Sequence, residues 1–122
     1  MTFRKCADVL VVEDETDIRE TIVEILRADG FVVECAANGS EALDVLRRMP
    51  QPTLVLADLM MPVMDGAALI AALRDDDRFA TLPIVIVTAA DFLAPHGYRR
   101  LKKPIDFDDL IRIVDELCMR TG

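Results

Sequence analysis

The chain has 122 residues, 52% of them hydrophobic, and a formal net charge of −8, which suits one domain, residues 1–122, around a single core. So acidic a balance argues against nucleic acid or an anionic membrane as a direct partner, because both need a basic stripe to displace counterions. Cys6, Cys35 and Cys118 are odd in number, scattered and without metal-type spacing, so they read as small apolar fillers in a reducing compartment.

In chain order, Arg4 and Lys5 precede an apolar run too short for a signal peptide or a membrane span, so a soluble, cytoplasmic protein is expected. The runs VLVV (Val9 to Val12), LVLA (Leu54 to Ala57) and IVIV (Ile84 to Val87) are unalternated and rich in β-branched residues, as in strands buried on both faces of a parallel sheet. FVVECAA (Phe31 to Ala37) is more mixed and suits a strand nearer an edge. Between these runs lie helical patterns. Ile18, Ile22, Ile25 and Leu26 follow three- and four-residue spacing, with Gly30 placed for a left-handed cap. Ser40 reads as the N-cap of a second helix with Leu43, Leu46 and Met49 inward, ended by Pro50. A third helix is expected from about Gly66 through Arg74, and a last one in DFDDLIRIVDELCM, with Leu110, Ile113, Val114 and Leu117 inward. Strands alternating with helices along the whole chain imply a doubly wound α/β fold, since parallel neighbours need right-handed crossovers that cover both faces.

In such sheets, ligands gather beyond the carboxyl ends of the strands. The polar residues ending the apolar runs are Glu13 and Asp14, Asp58, Thr88, and Lys103 after an expected fifth strand, GYRRLKK. Neighbouring strands lie about 4.8 Å apart, so these residues should meet at one rim. Crowded carboxylates repel one another, and a hard divalent cation with oxygen ligands offsets that repulsion; Mg²⁺ is the expected occupant.

These residues resemble the receiver domains of two-component response regulators. DLMMPVMDG, Asp58 to Gly66, is similar to the family's phosphoacceptor loop, with Asp14 lying 44 positions before Asp58, Thr88 lying 30 after it, and Lys103-Pro104 completing the pattern. The resemblance spans Val9 to about Arg120. It implies a five-stranded, flavodoxin-like parallel sheet of order 2-1-3-4-5, and a phosphorylation-dependent signalling switch. On that resemblance Asp58 is the nucleophile that takes a phosphoryl group from a sensor histidine kinase or phosphotransfer protein. Asp14 binds Mg²⁺ directly, Glu13 directly or through water, and the backbone carbonyl of Met60 adds a ligand. Lys103 contacts the phosphoryl oxygens, and Thr88 moves its hydroxyl onto them. The protein is then no enzyme toward an outside substrate; it catalyses its own phosphotransfer and dephosphorylation, and passes the signal to an unidentified protein.

Two departures bear on that readout. Arg100 stands where receivers usually carry an aromatic residue, with Tyr98 two positions earlier, and only 15 positions separate Thr88 from Lys103. The fourth helix must therefore be shortened or missing, with room for about one turn around Asp91 to Leu93 before Pro95, and Phe92 and Leu93 left to cover the sheet. Met60, Met61 and Met64 read as loop and core filling, His96 as a loop residue, and RDDDR (Arg74 to Arg78) as a solvated helix end. Two alternatives stay open: a degenerate receiver acting as a phosphorylation-independent interaction domain, and an aspartate-nucleophile phosphatase. The second needs a carboxylate two residues after the nucleophile, where Met60 follows Asp58 and Thr16 follows Asp14.

Overall fold

The computed structural model describes residues 8–89 and 94–119. Its elements run β1 (Asp8–Val12), α1 (Thr16–Ala28), β2 (Val32–Ala36), α2 (Gly39–Arg48), β3 (Pro52–Asp58), α3 (Gly66–Arg74), β4 (Ile84–Thr88), β5 (Arg99–Lys102) and α4 (Phe107–Met119). All strand pairings are parallel, in the order β2-β1-β3-β4-β5. The doubly wound, flavodoxin-like sheet expected from the sequence is the one observed.

Strand residues alternate between two apolar layers, which is why their runs carry no polar positions. Leu10, Val12, Val55, Ala57, Ile84 and Ile86 face α2 and α3, where Val45, Leu46, Leu69 and Leu73 are buried. Val9, Val11, Leu54, Leu56, Val85 and Val87 face α1 and α4, where Ile22, Leu26, Leu110 and Val114 are buried. Gly30 takes φ 99° just beyond α1, the left-handed stop that its type favours.

Several sequence expectations are corrected. Asn38, not Ser40, caps α2: its Oδ1 accepts the Glu41 N–H at 2.9 Å, and Ser40 lies exposed within the first turn. The reason is tertiary. Gly39 N–H donates to the Met64 carbonyl at 2.8 Å, and a Cβ at Gly39 would stand 2.6 Å from Met64 Cγ, so the helix starts where the chain can approach that loop. Ala42 and Val45 are then buried, and Leu43 is only half-buried. Cys35 is exposed on the edge strand β2 and fills no core, whereas Cys118 is buried; Cys6 lies outside the described residues. Met60 is likewise exposed, whereas Met61 and Met64 pack against the α2–α3 layer.

The RDDDR segment is not simply solvated. Arg74 donates to the carbonyls of Phe79, Ala80 and Leu82 at 3.2, 3.0 and 3.0 Å, and Arg78 to those of Arg47 and Met49 at 3.1 and 2.6 Å. Both guanidiniums close backbone turns. Among the described residues there is no helix between β4 and β5; Ala94 is buried and Tyr98 packs against the α2–α3 layer. The turn expected around Asp91 to Leu93, with Phe92 and Leu93 as cover, lies outside the described residues. His96 is exposed, as expected of a loop residue. No described helix is long and apolar enough to cross a membrane.

Candidate functional site

Three parallel pairings converge on one rim. Val12 lies beside Ala57, Asp58 beside Val87, and Thr88 beside Lys102. The ladder continues one residue past each strand: Glu13 N–H donates to the Ala36 carbonyl at 3.0 Å, Leu59 N–H to Val87 at 3.2 Å, and Lys103 N–H to Thr88 at 2.9 Å. The backbone therefore delivers Glu13, Asp58, Thr88 and Lys103 to one place. Glu13, Asp58 and Thr88, at 2%, 5% and 1% exposure, are the only buried polar or charged residues among those described. Burying such groups without a partner is costly, and their concentration at one end of the sheet marks a built site.

Carboxylate oxygens of Glu13, Asp14 and Asp58 all lie within 4.8 Å of one another, with Asp14 half-buried. Lys103 Nζ bridges two of them, 2.8 Å from Glu13 Oε1 and 3.2 Å from Asp58 Oδ2. The second oxygens are also engaged: Glu13 Oε2 accepts the Glu15 N–H at 3.1 Å, and Asp58 Oδ1 accepts the Met60 N–H at 3.2 Å. That contact places the Met60 backbone against the site and turns its side chain outward.

Three carboxylates against one ammonium leave excess negative charge. Burial pushes the Glu13 carboxyl up from 4.5 to about 7; hydrogen bonds from Lys103 and the Glu15 N–H oppose the rise, and the Asp58 charge adds to it. Burial works against the Lys103 ammonium, but the Glu13 hydrogen bond and the Asp58 charge outweigh it, and its pKa is raised. A cluster of hard oxygen donors with uncompensated charge fits a small divalent cation such as Mg²⁺.

One positioning contact was not legible in the sequence. Arg19, on α1, donates through Nη1 to the Glu13 carbonyl at 2.8 Å, with Nη2 at 3.5 Å from Thr16 Oγ1. It pins the turn that carries the acidic pair. An arginine six positions after Glu13 is the available signal, but it reads equally well as a solvated helix residue.

The loop from Asp58 to α3 is closed on itself. Gly66 N–H donates to the Leu59 carbonyl at 2.9 Å, and a Cβ at Gly66 would stand 2.5 Å from the Asp58 carbonyl oxygen. Asp65 Oδ1 caps α3 through the Ala68 N–H at 2.9 Å. Within this loop Val63 has φ 68°, and Met64 N–H donates to the Pro62 carbonyl at 2.7 Å, a three-residue turn. A β-branched residue in that region is a genuine outlier, costing on the order of 1–3 kcal/mol.

Beside the acids, Ile18, Thr21, Pro104, Ile105 and Phe107 line a groove of about 430 Å³ between α1 and the start of α4. A cavity of about 540 Å³, lined by Pro50, Pro52, Arg78 and Pro83, lies at the opposite end of the sheet and holds no carboxylate.

A family model described as the response regulator receiver domain matches residues 9–115. Response regulator Rre1 of Synechocystis sp. is 40% identical over 120 residues, covering 92% of this chain and 52% of the relative, so the chain spans about half that regulator's length. Sensor histidine kinase TmoS of Ectopseudomonas mendocina is 41% identical over 81 residues, covering 66% of this chain and 8% of the kinase. Among solved structures, chemotaxis response regulator CheY4 of Vibrio cholerae superposes with a TM-score of 0.81 at 28% identity, covering 91% of this chain and 98% of that one. With the acids, hydroxyl and lysine converging on one rim of a parallel sheet, the chain belongs to the receiver-domain family of two-component response regulators.

Proposed function

We propose that this receiver is a phosphorylation-dependent switch in which Asp58 takes a phosphoryl group from the phosphohistidine of a sensor histidine kinase or phosphotransfer protein. The observation that carries the reading is the packing of the Glu13, Asp14 and Asp58 oxygens within 4.8 Å, with Lys103 bridging two of them. An Asp58 oxygen attacks phosphorus, and the P–N bond breaks with its electron pair going to the donor imidazole, which leaves neutral once it carries its ring proton. Asp14, Asp58, the Met60 carbonyl and Glu13, directly or through water, would hold Mg²⁺, which when bound would supply positive charge to the phosphoryl oxygens. Lys103, already paired with Asp58, offers an ammonium donor to the new phosphoryl group. Buried Thr88 turns its hydroxyl toward the same group and draws the start of the β4–β5 connection with it. The chain acts on itself, transferring and later hydrolysing its own phosphoryl group, and turns over no outside substrate.

The apolar groove beside Lys103 supports a protein donor, since it offers area that a small phosphate compound cannot cover. A cytoplasmic setting and an unidentified downstream protein target belong to the same proposal. Incubation with acetyl phosphate and Mg²⁺, followed by intact mass measurement, tests it. The expected result is gain of one phosphoryl group at Asp58, lost when Mg²⁺ is chelated. A folded protein that stays unlabelled would favour the interaction-domain alternative.

A further inference from the structure

The Glu13, Asp14 and Asp58 oxygens lie within 4.8 Å of one another and repel, so each must be held if a small cation is to find them in place. Glu13 and Asp58 are held: both are buried, and Lys103 Nζ lies 2.8 and 3.2 Å from their oxygens. Asp14 is not. It is half-buried, and among the described residues no hydrogen bond or ion pair fixes its side chain, so its carboxylate sits where the backbone turn puts it.

That turn leaves the sheet at Glu13, whose N–H makes the last rung, to the Ala36 carbonyl at 3.0 Å. Two further bonds hold it. The Glu15 N–H donates to Glu13 Oε2 at 3.1 Å, a tie to a carboxylate that Lys103 also engages and that a cation would draw upon. The other tie is independent of the acids. Arg19 Nη1 donates to the Glu13 carbonyl at 2.8 Å, and its Nη2 lies 3.5 Å from Thr16 Oγ1, so one guanidinium spans the turn from Glu13 to Thr16 with Asp14 between. Arg19 is half-buried in the first turns of α1, and its own N–H donates to the Glu15 carbonyl at 2.9 Å, which fixes the base of a planar, pre-organised fork.

We propose that Arg19 is a positioning residue for the cation site, holding the Asp14 carboxylate where a small divalent ion needs it and so favouring Mg²⁺ over a larger ion. This rests on the phosphoacceptor reading above. Mg²⁺ demands near-ideal octahedral ligands at about 2.1 Å, whereas Ca²⁺ accepts a flexible set at about 2.4 Å. A ligand on a loosened turn therefore costs Mg²⁺ more than Ca²⁺. Charge alone argues the other way. A guanidinium beside the acids competes with any cation, so an arginine acting through its charge would weaken Mg²⁺ binding, and its removal would strengthen it. Position and charge thus predict opposite signs.

The test titrates Mg²⁺, and separately Ca²⁺, into the unphosphorylated protein and follows binding through backbone amide shifts, in the wild type, Arg19→Met and Arg19→Lys. Arg19→Met keeps the packing of the stem and removes both donors, whereas Arg19→Lys keeps a donor and the charge. Arg19→Met should weaken Mg²⁺ binding roughly fivefold and Ca²⁺ binding less than twofold, and Arg19→Lys should stay within about twofold of the wild type for both ions. Tighter Mg²⁺ binding in Arg19→Met would overturn the proposal in favour of charge. Equal losses for the two ions would overturn it too, reducing Arg19 to general support of the fold, as would unchanged affinities or a loss in Arg19→Lys as large as in Arg19→Met. Where Arg19→Met does not fold, Arg19→Gln takes its place with the same expected signs, because its shorter amide cannot span both acceptors. If the wild type binds Mg²⁺ and the variants bind it equally well, the proposal falls and the phosphoacceptor reading stands. If the wild type itself binds no Mg²⁺, both the proposal and the cation in that reading are lost.

Discussion

The acid rim and the connection from β4 to β5 are built by different means. At the rim, the ladder carries on past β1, β3 and β5, and Lys103 ties Glu13 to Asp58. In the described part of the connection, residues 94–98, side chains make the ties: Arg100 donates to the Pro95 carbonyl at 3.3 Å, and Tyr98 Oη accepts from Arg74 Nε at 3.0 Å with the guanidinium 5.3 Å from its ring centre. Sheet geometry tolerates few substitutes at the rim. Individual side-chain contacts of about 1 kcal/mol each can be exchanged without losing the fold. That difference explains how a receiver can keep its acid rim and still carry Arg100 in place of the aromatic residue.

The sharpest way to break the comparison is at Asp58, the proposed nucleophile. Asp58→Asn keeps the shape and removes the anion, so labelling by acetyl phosphate should vanish while the fold persists. Phosphorylation of that variant, seen by intact mass, would move the chemistry elsewhere. Lys103→Ala should fold and accept phosphate, but respond weakly, since the phosphoryl oxygens lose their cation.

Next in size is Gly66→Ala. The added Cβ would sit 2.5 Å from the Asp58 carbonyl oxygen and 2.8 Å from Leu59 Cα. Neither atom is a flexible side-chain end, so the loop must shift, and destabilisation of about 3 kcal/mol is expected in urea unfolding. A near-neutral result would show the rim to be as forgiving as the connection.

Glu13 gives a third, pH-dependent test. Its carboxyl is raised from 4.5 to about 7 in the folded chain, so between those values the folded protein holds a proton that the unfolded chain has released. Stability of the metal-free protein should therefore be greatest below pH 4.5 as far as this group is concerned, fall as pH rises toward 7, and level off above. The full difference is on the order of 3 kcal/mol. Mg²⁺ binding needs the carboxylate, so added Mg²⁺ should stabilise most above pH 7, and its affinity should weaken as pH drops through that value. Urea midpoints across pH, with Mg²⁺ and with a chelator, check both slopes; a metal-free midpoint that rose from pH 5 to 8 would contradict the assignment unless another group dominated, which Glu13→Gln would reveal by leaving the slope intact.

The rim was legible because Glu13, Asp58 and Thr88 end or follow apolar runs that mark buried strands, whereas Lys103 follows the polar strand RRLK and stood out through its place before Pro104. The two helical layers were legible for the same reason. What escaped depends on contacts between distant segments. Asn38 rather than Ser40 starts α2 because Gly39 meets Met64, a neighbour 25 positions away. Arg19, Arg74 and Arg78 all donate to backbone carbonyls, and every carbonyl in a sequence looks alike. Val63 carries no warning either, since a positive φ is read from glycine or asparagine and neither stands there.

The smallest effect tests the connection directly. Tyr98→Phe removes the hydroxyl that accepts from Arg74 and keeps the ring beneath the guanidinium, so about 1 kcal/mol of stability should be lost. Arg74→Ala should cost more, because the carbonyls of Phe79, Ala80 and Leu82 lose their donor together. Neither variant touches the carboxylates, and acetyl phosphate labelling should match the wild type in both. The consequence for signalling follows from where Tyr98 is held. A ring latched to the end of α3 is poorly placed to swing with Thr88, whereas Arg100, bonded to the Pro95 carbonyl, can exchange that acceptor as the connection shifts. On addition of beryllofluoride and Mg²⁺, amide signals of residues 96–101 should therefore move while the Tyr98 ring signals stay in place. The same shifts should be damped in Arg100→Ala and retained in Tyr98→Phe. A moving Tyr98 ring, or full amide shifts in Arg100→Ala, would return the readout to the aromatic side chain and erase the distinction between the two regions.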